Sequence, residues 1–130
     1  MRNKFLGTGA KGFNPKRKIS VAFRGLYYAV ILDLAVAYKI ILSAVLMVGF
    51  FYYRQWLDFG LVLVATGLMI VAEIFNTAIE ALCDFVETDQ NNRIGIIKDI
   101  SAGGVGISIF VWFIIIFIEI YRGSNLLVNG

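Results

Sequence analysis

The sequence predicts an all-α integral membrane protein, with an amphipathic N-terminal surface helix ahead of three transmembrane helices. Three observations carry that prediction. Of the 130 residues, 59% are hydrophobic and the mean hydropathy is +0.79, above the roughly half-apolar usage of soluble domains. Three apolar runs, Leu34 to Tyr53, Phe59 to Ala72 and Ile100 to Ile118, contain no charge except Lys39. Basic charge gathers at one end: residues 1–39 hold eight Lys or Arg against Asp33 alone, and the rest hold four against eight Asp or Glu. A chain of this length is one domain, 1–130.

Residues 1–14 are punctuated by glycine and show no hydrophobic period, which predicts a mobile arm. No cleavable signal peptide is expected, because the first 18 residues hold six Lys or Arg and no apolar core with a small-residue cleavage site. From Pro15, suited to a first helical turn, Ile19, Ala22, Phe23, Leu26 and Val30 recur at three- and four-residue spacing. The expected element is a surface helix over 15–33, its apolar side sunk into the acyl boundary and its basic side among headgroups. Packing of that helix on the protein's own spans is the plainer alternative.

Spans are expected over 34–53, 59–82 and 98–120. A hydrocarbon core of about 30 Å needs roughly 20 helical residues, so the short second run must borrow. Asp58 sits in the Arg54 to Asp58 connector on its amino side, so the borrowing runs forward through Glu73 and Asn76, and Glu73 is expected inside the bilayer. Tyr52, Tyr53 and Trp56 are expected as interfacial anchors. Ser101, Ala102, Gly103, Gly104, Gly106 and Ser108 are read as small residues for close helix approach. Positive-inside bias places the amino terminus and the 85–97 loop in the cytoplasm, and the 54–58 turn and carboxyl terminus outside. Several polar groups in so thin a fold are better sheltered if copies associate, which predicts a homo-oligomer. One cysteine, Cys83, excludes an intrachain disulfide.

Chemistry concentrates on the second span. At 100° per residue, Glu73, Asn76, Glu80, Asp84 and Glu87 fall within an arc of about 80°. Solvation at the helix end explains Glu87 and is open for Asp84, but not for Glu73, since an intramembrane carboxylate faces protein or water and is a functional candidate by default. Glu73 and Glu80 lie about 10 Å apart along the axis, too far to share one hard cation. Glu80 would need a second carboxylate for a divalent ion, and Asp33 is a candidate. Glu73 is then free to act as a base, its lipid-shielded carboxylate suited to accept a hydroxyl proton near neutrality. Lys98-Asp99, at the start of the third span, reads either as a structural ion pair or as a phosphate contact.

The run Glu73-Ile-Phe-Asn-Thr-Ala-Ile-Glu80-Ala-Leu-Cys-Asp84, followed by Lys98-Asp99-Ile-Ser-Ala-Gly-Gly, resembles the signature of the prokaryotic diacylglycerol kinase family, which includes undecaprenol kinases. The resemblance extends from about Ile19 to Ile118. It implies a homotrimer of three-span subunits in a bacterial inner membrane, with active sites shared between neighbours at the cytoplasmic face and ATP and Mg²⁺ as cofactors. By resemblance, Glu73 matches the catalytic base, with Asn76 beside it. Glu80 matches the metal-binding glutamate, and Asp33 stands where the family has a second metal carboxylate, a glutamate. Lys98 and Asp99 neighbour the phosphates, and Asp84, Asp89, Asn91 and Arg17 are expected to complete the nucleotide contacts. Two departures stand out: Asp33 is shorter than glutamate, and the loop Asp89-Gln-Asn-Asn-Arg-Ile-Gly lacks a histidine often found there. The reaction implied is transfer of the ATP γ-phosphate to the primary hydroxyl of a membrane lipid, diacylglycerol first and undecaprenol as the alternative.

No Walker A loop, kinase DFG set, zinc-ligand spacing or nucleophile elbow occurs, and the chain has no histidine, which excludes standard soluble kinase folds. A nucleic-acid partner is not expected, since the aromatic residues sit in the apolar runs and not among the basic ones. Two non-enzymes compete: a proton- or cation-handling subunit using Glu73 and Glu80 as a relay, and an oligomeric scaffold. The relay leaves Lys98-Asp99 and the basic helix unexplained, and the scaffold leaves the acidic stripe unexplained.

Overall fold

The computed structural model describes residues 14–28, 33–87, 89 and 91–129. They form four helices: α1 (Pro15–Leu26), α2 (Leu34–Tyr52), α3 (Trp56–Val86) and α4 (Asn92–Asn129). The last three are long and apolar enough to cross a membrane. Residues 1–13 of the expected arm, and 29–32 of the expected surface helix, lie outside the described residues.

α1 and α2 start where a side chain supplies a partner for a free N–H group, whereas α3 follows Gln55 with no side-chain cap. Asn14 caps α1, its Oδ1 accepting from the Arg17 N–H at 3.3 Å, and Pro15 occupies the first turn. No side chain of α1 is buried. Asp33 caps α2 by accepting from the Ala35 N–H at 2.9 Å. A side-chain oxygen in that position satisfies a donor the helix itself leaves over.

The turn from α2 to α3 is tighter than the expected 54–58 connector. Arg54 adopts the left-handed region at φ 57°, the Arg54 N–H donates to Phe51 O at 3.2 Å, and the Gln55 N–H donates to Phe50 O at 2.8 Å. These paired bonds are the Schellman arrangement that ends a helix. The chain therefore re-enters helix at Trp56, and Asp58 lies within α3 instead of in a connector. Asp58 tolerates this because the Arg122 Nε–H donates to its Oδ1 at 2.6 Å, which removes the reason for keeping it in water. α3 thus extends back through Asp58 as well as forward through Glu73, spanning about 46 Å at the helical rise.

α3 is the central helix, packed along α4 and α2, while α2 and α4 meet over a shorter stretch. Phe50, Val62, Ala65, Met69, Trp112 and Ile116 form the main core. A second contact sets Val36 of α2 against Ile70 and Ile74 of α3. Within the main core the Trp112 indole N–H donates to Ser43 Oγ at 2.9 Å and to Thr66 Oγ1 at 3.3 Å, so one buried donor ties all three long helices. Large apolar side chains such as Val48, Phe85 and Phe117 face outward, far more apolar surface than a water-soluble monomer exposes.

Candidate functional site

The acidic stripe of α3 runs toward the end of the bundle where α3 finishes and α4 begins. Glu73, 8% exposed, is its buried member. The charges acting on it are Lys39 and Asp33 from α2 and Glu80 from its own helix. One turn on, Asn76 joins two helices. Its Oδ1 accepts from Ser101 Oγ of α4 at 2.8 Å, and its Nδ2 donates to Glu80 Oε1 at 3.3 Å. Glu80 itself is exposed. A further turn on, the Lys98 ammonium donates to Asp84 Oδ1, so Lys98 pairs across to α3 and not with its neighbour Asp99.

Beside this pair lies an open cleft of about 660 Å³ whose lining includes Asp84, Glu87, Asp89, Asn91, Lys98 and Asp99. Its rim is shaped by local bonds: the Asp89 N–H donates to Glu87 Oε1 at 3.2 Å, and the Arg93 N–H donates to Asn91 Oδ1 at 2.9 Å. The first turn of α4, with Asn92 and Gly95, also lines it. The cleft therefore brings together the Lys98 ammonium, the carboxylates of Asp84, Glu87, Asp89 and Asp99, and the first turn of α4, whose free N–H groups carry the positive end of the helix dipole.

Not every expected residue reaches that cleft. Arg17 is not among its lining residues. Asp33 is engaged in capping α2. Among the described residues no three His, Cys, Asp or Glu side chains gather as a metal cage.

Other polar residues were invisible as partners in the sequence. Lys39 is 4% exposed, and its Nζ donates to Ala35 O at 2.8 Å. Ser101, read as a packing residue, orients Asn76. At the opposite end, by the α2–α3 turn, Asp58 and Glu119 are 2% and 1% exposed, and Glu119 Oε2 has no hydrogen-bond partner. The available signal was charge inside an apolar run at Lys39 and at the edges of the runs at Asp58 and Glu119, which marks a residue as needing a partner without naming it.

Comparison with curated proteins and with solved structures finds no match to the chain. A family model does match, that of the prokaryotic diacylglycerol kinases, and it takes in residues 20–120. The match spans all of α2 and α3 and most of α4, so the stripe from Glu73 to Asp84 and the Lys98-Asp99 pair facing it belong to a member of the prokaryotic diacylglycerol kinase family.

Proposed function

We propose that the protein transfers the γ-phosphate of ATP to the primary hydroxyl of diacylglycerol, giving phosphatidic acid, at the cytoplasmic face of a bacterial inner membrane. The observation that carries this reading is the buried Glu73 lying one to two turns from a half-buried Asn76 bonded to exposed Glu80, with the Lys98 cleft beyond. A base sheltered from water sits next to groups open to a soluble nucleotide, which is what joining a lipid acceptor to a charged donor requires. Kinase family membership supports the reaction class.

In this reading Glu73 accepts the proton of the lipid hydroxyl as that oxygen attacks the γ-phosphorus, and ADP leaves. Lys98 exchanges Asp84 for phosphate oxygens. Asp99, Asp89 and Asn91 contact the nucleotide from the cleft walls, and Arg17 reaches it from α1 lying on the membrane surface. Phosphoryl transfer is chiefly positioning and charge neutralisation, and these polar groups contribute to both with no covalent intermediate.

Mg²⁺ is typically held by one or two carboxylates together with substrate phosphates. Exposed Glu80 and Asp33 offer that kind of hard-oxygen set. When bound, the ion would neutralise charge on the phosphates. The pair is completed between neighbouring chains of a homotrimer, which accounts for Asp33 and Glu80 forming no cage of their own within one chain.

The test is transfer of label from γ-radiolabelled ATP by the purified protein in bicelles, with diacylglycerol and undecaprenol offered separately. Labelled phosphatidic acid is the expected product. Label on undecaprenol alone replaces the acceptor, and label on neither lipid by folded protein overturns the kinase reading.

A further inference from the structure

The end of the bundle away from the acidic stripe carries polar groups that the proposed reaction does not use. α4 pairs with Asp58, in the first turn of α3, at Arg122, and then continues to Asn129. Its last two turns therefore project about 10 Å beyond that pairing at the helical rise. Tyr52, Tyr53, Trp56 and Tyr121 are all exposed at this end, and amphipathic rings of this kind mark the boundary between acyl chains and headgroups.

Two hollows follow one another along α4 here. The upper is an open cleft of about 380 Å³ lined by Arg122, Asn125, Leu126 and Asn129. Their three- and four-residue spacing puts the arginine and both asparagines on one face. The lower is an apolar groove of about 340 Å³ lined by Phe110, Phe113, Ile114, Phe117 and Ile118. Ile118 lies one turn before Arg122, so the groove reaches to within a turn of the cleft and runs about 12 Å toward the middle of the span. Arg122 is itself held in place. Its Nε–H donates to Asp58 Oδ1 at 2.6 Å, and Asp58 is 2% exposed while the arginine side chain is 54% exposed. A guanidinium carries five donors in one plane, so pairing through Nε fixes that plane and leaves the two Nη groups.

We propose that this face of α4 binds a phospholipid of the leaflet on the side of the α2–α3 turn. The Nη groups of Arg122 and the amides of Asn125 and Asn129 hold the phosphodiester, and one acyl chain lies along the groove from Ile118 to Phe110. An arginine fork matches two phosphate oxygens in geometry as well as charge. Asp58 cancels the net charge of the arginine, with Glu119 buried beside them. Selection therefore rests on directed donors and not on bulk attraction, and a zwitterionic phospholipid fits as well as an anionic one. This occupant is distinct from the acceptor of the transfer, which presents a hydroxyl in place of a phosphodiester at the other end of the bundle.

The test offers delipidated protein in mild detergent phosphatidylcholine, phosphatidylglycerol and diacylglycerol with the same tails, and reads the lipid retained per chain by native mass spectrometry. One phospholipid of either kind is expected on the native chain. Asn125→Ala/Asn129→Ala, at exposed positions, is expected to weaken both phospholipids by about tenfold, since hydrogen bonds to a charged group are the stronger kind. Arg122→Lys keeps a positive charge for Asp58 but loses the fork, and should weaken them to a similar degree. Ile114→Trp fills the groove and should do so from the acyl side. Diacylglycerol retention is expected to stay at the native level in all three variants, which separates loss of this site from loss of the fold. Native phospholipid affinity in both the asparagine variant and Arg122→Lys overturns the proposal. Retention of phosphatidylglycerol alone reduces Arg122 to a surface charge and overturns it too. Release of the native protein as a lipid-free oligomer shows that a second copy covers this face, and also overturns it.

Discussion

Ser101 of α4 donates its hydroxyl hydrogen to Asn76 Oδ1 of α3 at 2.8 Å, and this bond decides which way the amide points. With Oδ1 engaged by Ser101, the amide nitrogen is left facing Glu80, which it reaches at 3.3 Å. A carboxylate only accepts, so the reverse orientation would set two acceptors against each other. Ser101→Ala is expected to lower lipid phosphorylation about fivefold, the equivalent of one hydrogen bond of about 1 kcal/mol. Ser101→Thr keeps the hydroxyl and should retain most activity. Initial rates at saturating ATP and lipid check both, and a fully active Ser101→Ala protein shows that Asn76 needs no such guide.

Trp112 sits where the three long helices meet, with Ser43 and Thr66 both accepting from its indole N–H. Trp112→Phe keeps most of the ring and removes that donor. The expected loss is about 1 kcal/mol for the hydrogen bonding, plus the cost of the smaller ring. Ser43→Ala should cost less, because Thr66 still accepts. Unfolding by denaturing detergent, followed by circular dichroism, measures the order.

The three spans were legible because lipid-facing helices need long apolar runs, and a run of this kind is a local property of the chain. The acidic stripe was legible for the same reason, since a 3.6-residue period places Glu73, Asn76, Glu80 and Asp84 on one face. What the chain hides is pairing at a distance. Asp58 read as a residue in need of water, and the second span was drawn to begin after it. Arg122, 64 positions further on, supplies the partner that lets α3 start earlier. Likewise Lys39 read only as an interruption until packing buried it, and Ser101 as one small residue among several until packing set it against Asn76. The extent of α4, Asn92–Asn129, goes beyond the expected 98–120 because polar residues at its two ends continue a helix as readily as they end one.

Arg54 holds a left-handed conformation, φ 57°, that costs an L-residue with a Cβ roughly 1–2 kcal/mol. The turn needs that conformation to bring the Gln55 N–H to Phe50 O. Arg54→Gly is expected to stabilise the protein by about 1 kcal/mol, reduced by the greater freedom glycine has when unfolded. Arg54→Ala keeps the strain and should gain nothing. Comparing the two by the same unfolding assay separates the backbone effect from loss of the charge.

Arg122 is the counter-charge for a carboxylate that has almost no access to solvent. Its Nε–H reaches Asp58 Oδ1 at 2.6 Å, and Glu119 lies buried beside them with Oε2 unbonded. Arg122→Ala leaves Asp58 unpaired next to a second acid, and the loss should be about 2 kcal/mol, below the range for a fully buried pair because the Arg122 side chain is 54% exposed. Asp58→Asn removes the charge that needs neutralising and should cost less. In Asp58→Asn/Arg122→Gln both charges are gone and an amide can still bond an amide, so its stability is expected to exceed that of Arg122→Ala alone. If the double variant is no more stable than Arg122→Ala, the arginine contributes through its packing and not through the charge of Asp58.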